Sequence, residues 1–263
     1  MDFTIKIYEQ LIKSLIKQGY TFQTFTEYLN SNLNKVVLLR HDVDLLPQNS
    51  LRFAKIQSEL SINGTYYFRA VPESWDEDII KEIADLGHEV GYHYENMDTC
   101  NGDIDKAWDD FRCHLDKLRE LVEVKTICMH GSPRSKFDNK ELWNKYDYRS
   151  LDIIGEPYYD VNFDEMFYLT DTGRRWDGWK TSVRDKVTQQ GLWIKQGLTF
   201  HSTQDIIEAV AAGKTSSGVD VPSKIMFTMH PQRWSQGWIP WFKELLFQTI
   251  KNEIKKILIL RQK

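Results

Sequence analysis

Cysteine is scarce in this chain of 263 residues, and its three copies, Cys100, Cys113 and Cys128, are scattered along the sequence. None of them forms the closely spaced pairs that hold structural zinc, and an odd number does not make a complete disulfide framework. The spacing therefore indicates a protein of a reducing compartment, and we expect a cytoplasmic location.

Long apolar runs and excess positive charge are also missing. No segment approaches the roughly 18 apolar residues that a membrane span needs, and Met1–Tyr8 lacks the apolar core of a signal peptide. Lysine and arginine number 34 against 38 acidic residues, a net charge of −4 with no basic stripe. Neither a transmembrane segment nor a nucleic-acid partner is therefore expected.

The most informative segment is Leu38–Asp44, Leu-Leu-Arg-His-Asp-Val-Asp. The apolar run before it, Val36–Leu39, predicts a buried strand. One histidine and two aspartates follow within five residues. In α/β folds, the carboxyl ends of parallel strands collect catalytic and binding groups. The segment therefore predicts a functional site that includes His41, Asp42 and Asp44.

Three more strand-like runs end in a histidine: His88–His93, Lys125–His130 and Ile225–His230. Helical patterns separate the runs in the first half of the chain, among them residues 49–60, 77–86 and 103–122. Strands that alternate with helices over short connections predict a parallel α/β architecture. Imidazoles and carboxylates gathered at strand ends are typical of a metal-dependent hydrolase.

The second half of the chain has a weaker pattern. Residues 158–160, 167–169 and 198–200 are short strand candidates, and residues 138–145 and 203–212 favour helices. A closing helix is predicted over residues 238–257.

Asp42 and Asp44 favour one metal ligand and one general base, provided that a turn brings both to one side. The alternative is a helix cap or an ion pair with Arg40 or Arg52. His93, at the ligand end of its run, is a candidate metal ligand, whereas His88 starts the run and is more typical of a structural residue.

Other candidate site residues follow the later runs. Glu95 and Asp98 are alternative candidates for a further carboxylate. His130 opens a tight His-Gly-Ser-Pro loop, and His230 is a candidate catalytic acid or a core histidine. Neutral imidazole with carboxylate suits zinc, and also nickel, cobalt or iron.

Aromatic residues are abundant, with nine tryptophans and twelve tyrosines. They agree with core packing, and flat rings also serve as platforms for sugars. Trp176 and Trp179 in the long loop 171–193, together with Arg233, are candidate carbohydrate contacts; packing at the surface is an equal alternative.

Together these segments resemble the polysaccharide deacetylase family, also called the NodB-homology or carbohydrate esterase 4 family. The resemblance extends from about Val36 to Trp234. Gly87–His93, Gly-His-Glu-Val-Gly-Tyr-His, matches the family's Gly-His-Glu-[IV]-Gly-x-His segment, and Gly64–Phe68 is similar to its Thr-x-Phe-Phe strand. A late strand that ends in a histidine, here His230, is a further shared feature.

The resemblance implies a single domain over residues 1–263, with a helical extension to about residue 34 and a distorted (β/α) barrel from about residue 35. It implies a divalent metal, most often zinc, held by Asp44 and His93. Asp42 would act as general base towards water and His230 as general acid towards the leaving amine. The implied reaction is removal of acetyl from an N-acetylated sugar or glycan precursor.

The chain departs from the family pattern at three places. Val43 separates two aspartates that are usually adjacent, Met97 occupies the position of the second metal histidine, and His130-Gly131-Ser132-Pro133 replaces the usual Arg-x-Pro loop. Methionine is a poor ligand for such a metal. The third ligand is therefore expected to be His130, His41 or Glu95, and the last two are also candidates for substrate binding.

The sequence is compatible with three candidate functions. The first is a carbohydrate deacetylase, whose cytoplasmic location would favour nucleotide-sugar or lipid-linked glycan substrates. The second is a catalytically silent glycan-binding protein, which the methionine favours. The third is a hydrolase of another small amide.

Overall fold

The computed structural model describes residues 1–132, 135–177 and 185–261, with side chains described to residue 253. The chain divides into two compact units. The first unit comprises Met1–Thr21, Leu33–Val37 and Asn162–Lys263, and the second comprises Phe22–Asn32 and Leu38–Val161. The single domain predicted from the sequence stays a prediction.

The second unit is built on four parallel strands. These strands are β2 (Val36–Val43, in this unit from Leu38), β3 (Thr65–Phe68), β4 (Glu89–Tyr94) and β5 (Ile127–Met129). Its helices are α2 (Phe25–Leu29), α3 (Pro47–Glu59), α4 (Glu77–Asp85), α5 (Asn96–Thr99), α6 (Ile104–Arg119) and α7 (Pro157–Asp160), with 3-10 turns at Asn139–Asn144 and Tyr148–Leu151. Helices connect successive strands, so the predicted parallel α/β fold class is confirmed.

Three Cα pairs describe the register of the parallel strands. Arg40 pairs with Thr65, Thr65 with Glu89, and Tyr92 with Ile127. Because all four strands run in the same direction, their carboxyl ends lie at one edge of the sheet. Every residue of β2 is buried, charged residues included.

The first unit contains the remaining elements. They are α1 (Ile5–Lys17), the start of β1 (Thr21–Gln23), β6 (Phe167–Thr170), α8 (Gln190–Lys195), α9 (Thr203–Ala212), β7 (Lys224–Met229) and α10 (Trp238–Arg261). Strands β6 and β7 pair in parallel, and α1 packs against α9. Among the described helices, none combines the length and apolarity that crossing a bilayer requires.

The core of the first unit is aromatic. The Trp234 ring makes edge contacts with Phe3 at 5.1 Å and with Tyr8 at 5.7 Å between centroids, and Trp176 lies 6.0 Å from Phe3. Trp176 is 4% exposed and its indole N–H donates to the Thr203 hydroxyl. The ring predicted to contact sugar is therefore reassigned to the core.

Three sequence-based element predictions need correction. Tyr158–Asp160 is not a strand but belongs to α7, because Pro157 has the fixed φ that suits a first helical residue. Residues 198–200 form no strand. Helix α3 begins at Pro47, two residues before the predicted helical segment 49–60. Within the predicted loop 171–193, residues 178–184 lie outside the described part of the chain.

Gly91, in the middle of β4, lies where no side chain fits. A Cβ atom there would be 2.4 Å from a ring carbon of Tyr67 and 2.7 Å from the Thr126 carbonyl oxygen. The Tyr67 ring is fully buried, and a backbone oxygen in the sheet has little freedom to move.

Replacement of Gly91 by alanine should therefore lower the free energy of unfolding by about 2–3 kcal/mol, the usual cost of overpacking a core. Urea titration monitored by circular dichroism measures the change. Gly191→Ala is the matched control, because α8 leaves its Cβ position open and alanine favours a helix by about 0.5–1 kcal/mol. Equal stability of Gly91→Ala and the wild type would contradict the crowding.

Candidate metal centre

Four polar residues occupy equivalent positions at one edge of the sheet. Asp44, Arg69, Glu95 and His130 each follow the last residue of β2, β3, β4 and β5 respectively. The parallel pairing therefore brings together side chains that are up to 86 residues apart in the sequence. His93, which precedes the end of β4 by one residue, is 1% exposed and lies in the same cluster.

The His93 imidazole is oriented by the neighbouring strand. Its Nδ1 lies 2.9 Å from the Cys128 carbonyl oxygen, which can only accept a hydrogen bond, so Nδ1 carries the proton. Nε2 then presents its lone pair 3.7 Å from Asp42 Oδ2 and 3.7 Å from Asp44 Oδ1. Burial, with the nearby His130, holds the pKa of His93 well below 6.5, so the ring is neutral at pH 7.

His130 is oriented by a hydrogen bond with Glu95. Its Nδ1 lies 2.8 Å from Glu95 Oε2, and its Nε2 lies 3.6 Å from Asp44 Oδ1. Arg69 donates to both oxygens of Glu95 at 2.8 Å. Burial alone would raise the pKa of Glu95, but His130 and Arg69 outweigh it and lower this pKa to about 2. The ionised Glu95 therefore accepts the Nδ1 proton of His130.

One oxygen of Asp44 thus faces two imidazole nitrogens, each of which has its other nitrogen tied to an oxygen acceptor. This is the arrangement in which a histidine binds a metal, since the outer hydrogen bond fixes the ring and its tautomer. Ligands that share a zinc ion about 2.1 Å away lie about 3.4 Å apart at tetrahedral angles. The two distances from Asp44 Oδ1, 3.6 and 3.7 Å, come close to that spacing, and a carboxylate with two imidazoles is a donor type that suits zinc or a similar divalent ion.

A second donor set shares His93. One ligand atom each from Asp42, His93 and Cys128 lies within 4.8 Å of the others, and all three residues are buried. Two contacts argue against this set: Arg40 binds both oxygens of Asp42, and the Cys128 thiol lies 3.8 Å from the Met129 carbonyl oxygen. We therefore favour the set of Asp44, His93 and His130.

Asp42 is held by its neighbour two residues earlier. Arg40 donates to Oδ1 at 2.8 Å and to Oδ2 at 2.6 Å, and its guanidinium lies 5.0 Å from the centre of the Tyr158 ring. Arg40 and Asp42 are each 2% exposed. The sequence alternative of an ion pair between the two residues is thus what the structure shows, and it leaves the Asp42 carboxylate beside His93.

His230 belongs to a separate cluster in the first unit, centred on Asp171. Its Nδ1 lies 2.6 Å from Asp171 Oδ1, and its backbone N–H donates to Oδ2 at 2.9 Å. Trp234 and Arg233 also donate to this carboxylate, at 2.7 and 3.0 Å. Burial would raise the pKa of Asp171, but His230 and Arg233 outweigh it and lower this pKa.

Asp171 was missed in the sequence analysis although a signal was present. It follows the last residue of β6, as Asp44 follows β2. The carboxylate fixes the His230 ring, so the predicted catalytic acid stands in an ordered environment.

The predicted substrate contacts have mixed outcomes. His41 is fully buried, with Nδ1 donating to the Thr65 carbonyl oxygen and the ring stacked on Tyr66 at 4.1 Å, so we reassign it to the core. Glu95 and Arg233 hold His130 and Asp171 respectively. Trp179 lies outside the described residues. Met97 is buried in α5, four residues after His93.

Comparison with known proteins gives structural neighbours only. No family model matches the sequence, and no curated protein is similar to it. Solved structures that resemble it include family 4 carbohydrate esterases and a pseudoenzyme of that family.

Three of these structures illustrate the level of likeness. A CE4 family pseudoenzyme of Bacillus anthracis has 15% identity and a TM-score of 0.45, with 86% of this chain and 63% of that chain covered. A CE4 esterase of Streptococcus mutans has 12% identity and a TM-score of 0.45, with 93% and 90% covered. PdaA of Bacillus subtilis, a family 4 carbohydrate esterase, has 13% identity and a TM-score of 0.39, with 97% and 90% covered. The activity of this chain must therefore be argued from its own residues.

The ion pair of Glu95 predicts how stability changes with pH. Its pKa is about 2 in the folded protein against an ordinary value of 4.5, so the carboxylate stabilises the fold above about pH 4.5. That contribution is lost as the pH falls towards 2. The stability difference between the wild type and Glu95→Gln should therefore be largest near pH 7 and shrink below about pH 4.5.

Urea unfolding at a series of pH values measures this difference. Glu59→Gln, at an exposed position at the end of α3, controls for the loss of a carboxylate. A difference for Glu95→Gln that stays constant from pH 7 to 3 would show that the ion pair with Arg69 and the hydrogen bond with His130 do not stabilise the fold.

Proposed function

We propose that this protein is a metal-dependent hydrolase that removes an acetyl group from an N-acetylated sugar or glycan precursor. One observation carries the proposal: Asp44 Oδ1 lies 3.7 and 3.6 Å from the Nε2 atoms of His93 and His130, and both rings are oriented by a second hydrogen bond. The sugar substrate comes from the motifs that resemble the polysaccharide deacetylases.

In this proposal Asp44, His93 and His130 hold the ion. A divalent ion at these donors supplies a positive charge that makes water more acidic and stabilises negative charge on a carbonyl oxygen. Glu95, fixed by Arg69, keeps the proton of His130 on Nδ1 and thereby leaves Nε2 available as a donor.

Asp42 is the proposed general base. Its Oδ2 lies 3.7 Å from His93 Nε2, next to the proposed metal donors, so a water at this position would be within reach of the carboxylate. Arg40 fixes the orientation of this buried carboxylate through two hydrogen bonds. His230, oriented by Asp171, is the proposed general acid, and its role rests on the family resemblance.

The ion pair of Asp42 also favours a second candidate function. Arg40 donates to both oxygens of the proposed base, so both oxygens that would face a water already accept a hydrogen bond. A glycan-binding protein without catalysis would tolerate such a pair. Metal binding and acetate release, measured separately, distinguish the two functions.

The metal prediction is tested on protein purified without a metal-affinity tag. Elemental analysis should find about one divalent ion per chain after incubation with zinc and dialysis. Asp44→Asn, His93→Ala and His130→Ala should each weaken zinc binding about 100-fold or more in calorimetry, because each removes a ligand. Cys128→Ser should bind zinc as the wild type does.

His201→Ala is the matched histidine control, because this residue is exposed and belongs to neither donor set. Loss of zinc in Cys128→Ser with retention in His130→Ala would assign the ion to Asp42, His93 and Cys128 instead. Absence of zinc from the wild type would overturn the metal mechanism.

The catalytic prediction uses acetate release from N-acetylglucosamine oligomers. Asp42→Asn should lower the rate about 100-fold to 10,000-fold, the usual contribution of a general base, while zinc stays bound. Asp78→Asn, at an exposed position in α4, is the control and should leave the rate unchanged. Binding of the oligomers without acetate release by the wild type would favour the glycan-binding function.

A further inference from the structure

Helix α10 presents an apolar face to solvent. Six large apolar side chains are each more than half exposed: Trp238, Ile239, Phe242, Leu246, Phe247 and Ile250. Most of them recur at intervals of three or four residues, which places them on one side of the helix. So many large exposed apolar side chains on one face mark an interaction surface rather than a random distribution. We call these six residues the outer face.

The opposite side of α10 is hydrogen-bonded to other residues of the first unit. The Trp241 indole N–H donates to the Asp2 carbonyl oxygen at 2.6 Å, and Arg174 donates to the Trp241 carbonyl oxygen at 3.2 Å. Asn252 donates to the Gly173 carbonyl oxygen at 2.9 Å. These bonds determine the rotation of the helix about its axis. The described part of the chain therefore leaves the outer face uncovered.

The charge of this segment differs from that of the rest of the chain. Residues 238–263 contain six lysines and arginines and two glutamates, an excess of four positive charges. The remaining residues contain 28 basic and 36 acidic residues, an excess of eight negative charges. An apolar face with exposed tryptophan and phenylalanine in a basic helix is the composition of helices that lie in the surface of a bilayer.

We propose that α10 docks the protein on a membrane surface that contains anionic lipid, with the outer face inserted among the lipid headgroups. A second copy of the chain is the less favourable occupant, because pairing two outer faces would bring together two segments that each carry excess positive charge. An anionic surface has the opposite charge and attracts the basic residues of the segment. The inference does not depend on the proposed hydrolase activity.

Flotation of the full chain with lipid vesicles tests this proposal. Vesicles of phosphatidylglycerol and phosphatidylcholine should carry the wild type upward in the gradient at low salt, whereas vesicles of phosphatidylcholine alone should carry much less. Phe242→Glu with Leu246→Glu should reduce the bound fraction about tenfold or more, since both apolar burial and charge attraction are lost. Lys243→Gln with Lys251→Gln should bind more weakly and with less dependence on salt.

Leu192→Glu is the matched control, because this leucine of α8 is also 56% exposed but lies outside the outer face. It should float as the wild type does, and circular dichroism should show all variants folded. Failure of the wild type to float with anionic vesicles would overturn the proposal. A wild-type dimer in light scattering that Phe242→Glu with Leu246→Glu converts to a monomer, without flotation, would assign the outer face to a second copy.

Discussion

The candidate centre depends on the parallel pairing of β2 through β5. Because the register is fixed by backbone hydrogen bonds along the strands, the residues that follow each strand meet at one edge of the sheet. A one-residue slip of one strand would move its side chains to the opposite face. The pair of Tyr92 with Ile127 therefore determines the position of His130 relative to Glu95 as much as any contact between the two side chains does.

Charge burial is the main energetic cost of this arrangement. Asp42 and Glu95 lie in places where an isolated carboxylate would be strongly disfavoured. Each has its own arginine, Arg40 or Arg69, in a hydrogen-bonded pair that offsets much of the lost hydration. Removal of one partner would leave the other charge buried alone, so these arginines are needed for the fold as well as for the proposed chemistry. From the sequence, Arg40 was only one of two alternative partners of the aspartates, and Arg69 was not predicted to take part.

The sequence predicted the parallel α/β class and the cluster of Asp42, Asp44, His93 and His130. Apolar segments that form strands and end in polar residues can be recognised without a structure. It did not separate site residues from core residues within β2. Both sides of that strand are buried, so the sequence shows no alternation of apolar and polar positions that would mark a side. His41 therefore looked like a ligand although its ring packs on Tyr66.

The geometry of the candidate centre depends on the strands more than on the segments that connect them. Its residues come directly after the strand ends: Asp44, Arg69, Glu95 and His130. Each of these four residues is the first residue after a strand, so its backbone is joined directly to the last residue that the sheet holds in place. Insertions or replacements within those loops would reshape the surroundings of the centre without moving the proposed donors. In the proposed hydrolase, a change of substrate could thus be reached through loop length and composition while the proposed donors remain in place.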